Sequence, residues 1–148
     1  MNSLFDTEKD FQTTKDWTGF LKIYDSYFKH YKDKEINILE IGVDKGKSLK
    51  LWRSYFTKAK ICGIDISEMN FKIEGVELIT ADQTNIKSLK KICEKYKSFD
   101  IIIDDGSHVS KHIITSFSFL FDYLTVGGLY AVEDLQTSYF PRYGGSRI

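Results

Sequence analysis

Acidic side chains recur at the ends of the apolar segments of this chain, where they could bind a cation or a donor-rich ligand. They are Glu40, Asp65, Asp104, Asp105, Glu133 and Asp134. Clustered carboxylates repel one another unless cations or donor-rich ligands offset their charge, whereas a single Asp also commonly begins a turn or caps a helix. If the apolar segments are parallel strands, the whole set lies at one edge of the sheet, which favours a ligand site over separate turns.

A histidine accompanies these acids in the segment DDGSH, where His108 follows Asp105 by three residues. Imidazole exchanges a proton near neutral pH, so His108 is a candidate functional residue beside these carboxylates. The alternative that His108 only begins a helix remains open. We interpret His112 as a surface or supporting residue and His30 as structural or solvated.

The elements that must position these residues alternate between apolar strands and amphipathic helices. The predicted strands are 36–41, 60–66, 76–80, 100–104 and 129–132, and the predicted helices are 11–31, 48–56, 86–96 and 113–124. We expect Gly127 and Gly128 to end the last helix as a left-handed cap and turn. Alternation of this kind predicts right-handed βαβ units, and hence an α/β fold with a doubly wound parallel sheet of about five strands and flanking helices.

Composition restricts the function classes. The 148 residues suit one domain, and the equal numbers of basic and acidic residues, 21 each, argue against a nucleic-acid or anionic-membrane partner. Cys62 and Cys93 lie 31 positions apart without metal-binding spacing, so neither a disulfide scaffold nor a zinc site is expected and a cytoplasmic location is favoured. The N-terminus has no apolar signal region, and no segment approaches the roughly 18–20 apolar residues of a membrane span.

The loop after the first predicted strand contains Gly42 and Gly46 but fits neither common nucleotide-binding motif. The phosphate loop needs four residues between its glycines, and here there are three. In a GxGxxG loop the middle glycine would stand where this chain has Asp44, an unfavourable neighbour for phosphate. The remaining pattern, ExGxxxG, predicts a tight strand-to-helix turn that admits a ligand without phosphates, although a structural turn explains it equally well.

A nucleoside could lie beside this loop. Asp65 stands 19 residues after Gly46, where an acid commonly binds ribose hydroxyls, and Asp82 with Gln83 follows the third strand, within reach of a base. The combination fits a nucleoside that has a ribose and a base but no diphosphate.

Five segments, in this order and spacing, resemble a class I S-adenosylmethionine-dependent methyltransferase: ILEIGVDKGKSLKLW, GIDIS, ADQ, FDIIIDDGSH and GGLYAVEDLQTSYF. More narrowly, they are similar to the metal-dependent sugar O-methyltransferases of the mycinamicin and macrocin type, with cephalosporin-hydroxylase-like relatives. The resemblance implies a Rossmann-like fold in a single domain, 1–148. Its parts would be an N-terminal helical segment (1–34), a cofactor-binding core (35–135) and a loop tail (136–148).

The same resemblance implies an enzyme that uses S-adenosylmethionine and Mg²⁺ to methylate a sugar hydroxyl of a natural product or surface polysaccharide. The residues implied to bind the cofactor are Glu40, Gly42, Gly46, Asp65, Asp82, Gln83 and Asp104. The first three would shape the methionine pocket, Asp65 would hold the ribose, and Asp82 with Gln83 would flank the adenine. Asp104 would lie beside the sulfonium end.

For the reaction itself, the resemblance implies three metal ligands, Asp105, Glu133 and Asp134, and His108 as the catalytic base. The set is chemically sensible because three carboxylates leave octahedral positions of Mg²⁺ for water or substrate oxygens. A nearby histidine could then accept the hydroxyl proton.

The chain also departs from these relatives. They carry Thr-Asp-Lys and a His before the first helix, whereas residues 13–18 here read TTKDWT, so the upstream contribution to the site stays open. The fold usually has two further antiparallel strands, which a chain ending at Ile148 lacks, and an exposed sheet edge of this kind predicts a homo-oligomer. The expected partner is a small-molecule or glycan acceptor. The alternative function is an inactive or truncated cofactor-binding module that acts in an assembly.

Overall fold

The computed structural model describes residues 3–8, 11, 13, 15 and 19–146, and the structural statements below concern these residues. The helices are α1 (Leu4–Glu8), α2 (Phe20–Phe28), α3 (Lys47–Tyr55), α4 (Ile86–Tyr96) and α5 (Ser110–Leu120). The strands are β1 (Asn37–Ile41), β2 (Lys60–Asp65), β3 (Val76–Thr80), β4 (Phe99–Asp104) and β5 (Leu124–Val132). Short 3₁₀ helices span Phe121–Tyr123, Leu135–Tyr139 and Pro141–Tyr143.

The strands form one sheet in the order β3-β2-β1-β4-β5, and every neighbouring pair is parallel. Strand β1 is central, with Leu39 opposite Cys62 of β2 on one side and Ile102 of β4 on the other. This arrangement confirms the predicted parallel sheet. It also brings all five carboxyl ends to one edge, where open α/β sheets bind their ligands.

Helices cover both faces of the sheet, because each crossover between parallel strands returns over one face or the other. Ile38, Ile101 and Ile103 pack with α1, α2 and α3 in one core layer, which includes the fully buried Trp52. The alternate side chains, such as Leu39 and Ile102, pack with α4 and α5 in the second layer. The two-residue period of a strand thus assigns each strand side chain to one of the two layers.

Helix boundaries follow local signals where these are strong. Helix α4 and strand β3 have the predicted bounds, and the Asn85 side chain caps α4 by accepting the Ser88 N–H at 3.2 Å. The predicted helix 11–31 is shorter: α2 begins after Gly19, whose φ is +75°, and Trp17 lies outside the described residues. No helix among the described residues combines the length and the apolar character that crossing a membrane requires.

The prediction that Gly127 and Gly128 end a helix is wrong. Helix α5 ends at Leu120, and β5 runs through both glycines. Leu124 pairs with Phe99 but Leu129 pairs with Ile101, so the chain bulges between them. Gly127 has φ +81°, and a Cβ on Gly128 would stand 2.9 Å from two carbonyl oxygens, so glycine is needed for the bulge rather than for a cap. The tail, predicted as loop, contains two of the 3₁₀ helices.

The two-layer core predicts unequal costs for truncating two phenylalanines. Phe99 is 0% exposed and stacks on Tyr96, whereas Phe121 is 53% exposed. We expect Phe99→Ala to lower the free energy of unfolding by about 3–5 kcal/mol, because it leaves a cavity. Phe121→Ala should lower it by less than about 1 kcal/mol. Urea unfolding followed by circular dichroism measures both values, and equal losses would contradict this description of the core.

Candidate active site

Two adjoining pockets open at the carboxyl edge of the sheet. The larger, of about 530 Å³, is lined by the loop that follows β1 together with Lys15, Asp105, His108 and Asp134. The smaller, of about 210 Å³, lies over the ends of β2 and β3. Gly42, Asp65 and Gly106 line both pockets. Together they form a continuous cleft that most of the acids predicted from the sequence surround.

The acids in and just after the strands point to different layers. Glu40 and Glu133 lie on the side of α2 and α3, where they contact Trp52 and Tyr24 respectively. Asp104 lies on the opposite side, where its carboxylate accepts a hydrogen bond from Ser116 of α5 at 2.7 Å. Strand alternation therefore separates residues that the sequence places at the same sheet edge.

Lys15, in the N-terminal segment, places a buried ammonium among the carboxylates of Glu40, Glu133 and Asp105. The Lys15 ammonium is 2% exposed and donates to Asp105 Oδ2 at 2.8 Å and to Glu133 Oε1 at 2.5 Å. Glu40 Oε1 is 3.8 Å from the same nitrogen, and the Tyr24 hydroxyl donates to Glu133 Oε1 at 2.6 Å. One cation thus faces three carboxylates, two of them buried.

The pKa shifts in this group follow from burial and from charge. Burial lowers the pKa of Lys15, but the carboxylates of Glu40, Glu133 and Asp105 outweigh it and raise that pKa above its ordinary value. Burial raises the pKa of Glu40 to about 7, against the opposing effects of Lys15, Ser48 and Trp52. Burial likewise raises the pKa of Glu133, and Lys15 opposes it. The lysine therefore remains charged, and its charge opposes the rise that burial causes in the pKa of Glu40 and of Glu133.

A second group of side chains has the composition of a metal site. Asp105, His108 and Asp134 each offer one ligand atom, and these atoms lie within 4.8 Å of one another. His108 Nε2 is 4.0 Å from Asp105 Oδ1 and 3.9 Å from Asp134 Oδ2. All three side chains are partly exposed to the larger pocket. Glu133, the remaining predicted ligand, is connected to Asp105 through Lys15.

The backbone at this group is unusual. His108 and Asp134 have φ values of +57° and +55°, a region that residues other than glycine rarely adopt. The Thr137 hydroxyl lies 2.9 Å from the His108 carbonyl oxygen and 2.8 Å from that of Asp134. This hydroxyl connects the two strained residues and helps to fix their side chains toward the pocket.

The loop between β1 and α3, which contains Gly42 and Gly46 and is called the glycine loop below, covers the buried side chain of Glu40. Glu40 is fully buried beneath it and accepts hydrogen bonds from Ser48 Oγ at 2.9 Å and Trp52 Nε1 at 3.2 Å. Its carboxylate thus fixes the start of α3 and acts on the pocket through Ser48. Gly42 has φ +87°, and a Cβ there would stand 2.1 Å from the Asp105 carbonyl oxygen. Only glycine allows β1 and β4 to approach so closely at the site.

Asp65 anchors the same loop from the end of β2. Its Oδ2 accepts the backbone N–H groups of Val43 at 2.8 Å and Asp44 at 3.1 Å, and its Oδ1 accepts that of Ser67 at 2.8 Å. Burial raises the pKa of Asp65, but these three donors outweigh it and hold the pKa below its ordinary value. The carboxylate lies between the two pockets, where the sequence predicted a ribose partner.

Asp104 and Gln83 form the wall behind the cleft. Asp104 is 1% exposed, lines neither pocket, and accepts hydrogen bonds from Gln83 Nε2 at 3.2 Å and from Ser116. Gln83 Oε1 accepts the Ser107 N–H at 2.8 Å, so the pair holds the DDGSH segment in place. Strand alternation turns the Asp104 side chain toward α5, and its position beside the sulfonium end stays a prediction.

The smaller pocket is lined by Asp82 and by His112, which the sequence indicates to be a surface or supporting residue. Asp82 lines this pocket and accepts the Thr84 N–H at 2.7 Å. His112 lines it as well, with Nδ1 3.0 Å from Ser107 Oγ. Sequence reasoning missed His112, Lys15 and Tyr24 as site residues. The position of His112 one helical turn after His108 was a usable signal, whereas the segment that contains Lys15 was left open because it departs from the relatives' Thr-Asp-Lys.

Comparison with known proteins gives closely related sequences, although no protein-family model matches the chain. The chain is 40% identical over 134 residues to mycinamicin VI 2''-O-methyltransferase of Micromonospora griseorubida. It is 38% identical over 134 residues to demethylmacrocin O-methyltransferase of Streptomyces fradiae. Each alignment covers 85% of this chain and 34% of the relative, so the chain spans about a third of the length of these curated relatives.

A solved structure supports the same relationship. The chain superimposes with a TM-score of 0.92 and 35% identity on the MycE methyltransferase of the mycinamycin pathway, in complex with Mg, SAH and mycinamycin VI. The superposition covers 98% of this chain and 42% of that chain. It confirms the Rossmann-like methyltransferase fold, and together with the sequence relatives it confirms the resemblance found in the sequence.

The close approach at Gly42 predicts a large effect of a small substitution. Gly42→Ala should destabilise the fold much more than Gly19→Ala, although both glycines have positive φ. A Cβ at Gly19 meets nothing within 4 Å, so only the backbone cost of about 1 kcal/mol is expected there. Thermal unfolding of the two variants measures the difference. Similar losses would show that the steric contact with Asp105 is unimportant.

The lowered pKa of Asp65 predicts a pH dependence of stability. Ionised Asp65 stabilises the folded state above the ordinary pKa of 3.8, and this contribution is lost as the pH falls through the lower pKa of the folded state. We expect the free energy of unfolding of Asp65→Asn to fall less steeply than that of the wild-type chain between about pH 5 and pH 2. Urea unfolding across this range tests the expectation, and parallel curves would contradict it.

Proposed function

Because the chain is a homologue of part of the mycinamicin- and macrocin-type sugar O-methyltransferases, we propose that it transfers a methyl group from S-adenosylmethionine to a sugar hydroxyl. The acceptor would belong to a natural product or a surface polysaccharide. The observation that carries the proposal is the convergence of Asp105, His108 and Asp134 at the pocket bounded by Gly42 and Asp65. The proposed base, two of the proposed metal ligands and the proposed cofactor-binding residues Gly42 and Asp65 thereby line the same pocket.

The two pockets fit the two ends of the cofactor. The larger one, beside the glycine loop, would take the methionine end, and the smaller one, with Asp82 and Ile66, would take the adenine. Asp65 lies between them, where its carboxylate would accept the ribose hydroxyls. The loop has no cluster of glycines for a pyrophosphate, which agrees with a cofactor that has none.

The acids fit a Mg²⁺ ion. Asp105 and Asp134 present carboxylate oxygens within 4.8 Å of one another. Glu133 is linked to Asp105 because the Lys15 ammonium donates a hydrogen bond to each of them. Hard oxygen ligands of this number leave positions for water or for substrate hydroxyls. These residues would hold the ion, which when bound supplies Lewis-acid chemistry that favours loss of a proton from a nearby hydroxyl.

His108 is the proposed general base. Its Nε2 faces the gap between Asp105 and Asp134, so a hydroxyl oriented there lies near an acceptor for its proton. The hydroxyl oxygen then attacks the methyl carbon, a C–O bond forms as the C–S bond breaks, and S-adenosylhomocysteine leaves. The protein contributes mainly orientation and exclusion of water in this step.

We also propose a cytoplasmic location and association between copies of the chain. Cys62 and Cys93 are buried free thiols, which suits a reducing compartment. Strand β5 stands at the edge of the described sheet, the exposed Tyr27 lines a pocket with residues 129–131 of this strand, and we expect a second copy of the chain to cover this edge. The acceptor is a small molecule or glycan, rather than a nucleic acid or a membrane.

Calorimetric titration tests the proposed cofactor. We expect S-adenosylhomocysteine to bind the chain, and binding of NADH without any response to S-adenosylhomocysteine would refute the methyltransferase assignment. Methyl transfer is then followed with mycinamicin VI as the probe acceptor, with MgCl₂ or with EDTA. Equal turnover under the two conditions would refute the metal role. Cofactor binding with no turnover on any sugar acceptor would support the inactive-module alternative.

His108→Gln separates binding from chemistry. We expect turnover to fall at least about 100-fold, because the general base is lost, while the dissociation constant of S-adenosylhomocysteine stays near its wild-type value. His30→Gln is the matched control, since His30 is exposed on the surface away from the cleft. Unchanged turnover of His108→Gln would exclude the residue as the base.

A further inference from the structure

Lys15 has an environment that the proposed reaction does not by itself explain. Its ammonium lies among Glu40, Asp105 and Glu133 and is 2% exposed, although it comes from the N-terminal segment. A buried charge requires close and well-aligned partners, because its desolvation is otherwise very unfavourable. Lys15 meets this requirement with two direct hydrogen bonds, to Asp105 and Glu133.

The choice of oxygen atoms is the informative detail. Lys15 binds Oδ2 of Asp105, whereas Oδ1 of the same carboxylate faces His108 at 4.0 Å. On Glu133, Lys15 and the Tyr24 hydroxyl both donate to Oε1. Asp105 is therefore held through Oδ2 while its Oδ1 faces His108, and on Glu133 both donors use Oε1 rather than Oε2.

These contacts resist a repulsion that the site would otherwise have. Asp105, Glu133 and Asp134 are like charges at one sheet edge, and without a counter-charge they would turn away from one another. Lys15 and Tyr24 hold two of the three in fixed orientations. Such supporting hydrogen bonds commonly set the affinity of a metal site, although they do not touch the metal.

We propose that Lys15, seated beside Tyr24, is a positioning residue that orients Asp105 and Glu133 for a divalent cation. This inference rests on the proposed function, in which these acids hold Mg²⁺. In this proposal Lys15 engages Oδ2 of Asp105 and Oε1 of Glu133, and the opposite oxygens, Oδ1 and Oε2, would bind the ion. The N-terminal segment is thereby part of the metal site.

Binding of Mn²⁺ alone tests the inference without any need for turnover. Mn²⁺ is titrated into the wild-type chain, Lys15→Met and Lys15→Arg, and the free ion is followed by electron paramagnetic resonance. We expect Lys15→Met to weaken binding about tenfold or more, and Lys15→Arg, which keeps a positive donor, to recover part of the loss. The water-proton relaxation of bound Mn²⁺ should also show more exchangeable waters in Lys15→Met, because a protein ligand is lost.

Lys95→Met is the matched control. Lys95 also donates to a glutamate, Glu77, at 2.5 Å, but this pair is exposed and lies away from the cleft. Its removal should leave Mn²⁺ binding unchanged. Tyr24→Phe removes one of the two donors to Glu133 and should weaken binding less than Lys15→Met. It tests the same arrangement if Lys15→Met does not fold, as judged by circular dichroism.

The possible outcomes distinguish failure of the positioning role of Lys15 from failure of the proposed function. Wild-type and Lys15→Met chains that bind Mn²⁺ equally would overturn the positioning role and leave the proposed function intact. Tighter binding by Lys15→Met would also overturn it, since Lys15 would then compete with the ion. A wild-type chain that binds no Mn²⁺ would refute the metal role in the proposed function, and the inference with it.

Discussion

The five strands of the sheet run in one direction, and the rest of the site depends on this constraint. Parallel strands bring their carboxyl ends to one edge, so the acids that follow them are forced into a single cleft. Carboxylates gathered in this way repel one another unless cations or hydrogen-bond donors offset the charge. Lys15 and Tyr24 supply that compensation from the N-terminal segment, and the site is therefore built by both ends of the chain.

The pleat of the strands sorts the acids into supporting and accessible groups. Glu40 and Asp104 lie within strands, where both faces are covered by helices, so they are buried and satisfied by side chains such as Trp52 and Ser116. Asp105 and Asp134 lie one or two residues beyond the strands, where the backbone leaves the sheet and a side chain can reach the cleft. Glu133 also lies one residue beyond its strand but is buried against Lys15 and Tyr24, so the direction of the side chain, as well as its position along the chain, decides whether an acid faces the cleft.

Much of the fold could be predicted because its signals are local. The apolar runs and helical periods gave the parallel sheet, and helix α4 follows from its Asn85 cap and one apolar face. The bulge in β5 could not be read in this way. Gly127 and Gly128 carry the same signal whether they end a helix or allow a strand to bulge, and only the pairing with β4 distinguishes the two. The strand end at Asp104 was predicted correctly, but the helix that its side chain meets, α5, is decided by packing on that face of the sheet.

The sequence by itself determined the parallel fold, the acidic carboxyl edge and the resemblance that names His108 and its neighbours, because these depend on short-range periodicity and on compact motifs. The tertiary structure alone decided which cation meets the acids. Lys15 is 90 positions from Asp105 and 118 from Glu133, and its segment, which departs from the Thr-Asp-Lys of the relatives, left its contribution to the site open. Contacts of this range arise from packing the N-terminal segment over the sheet edge, a choice governed by burial across the whole molecule.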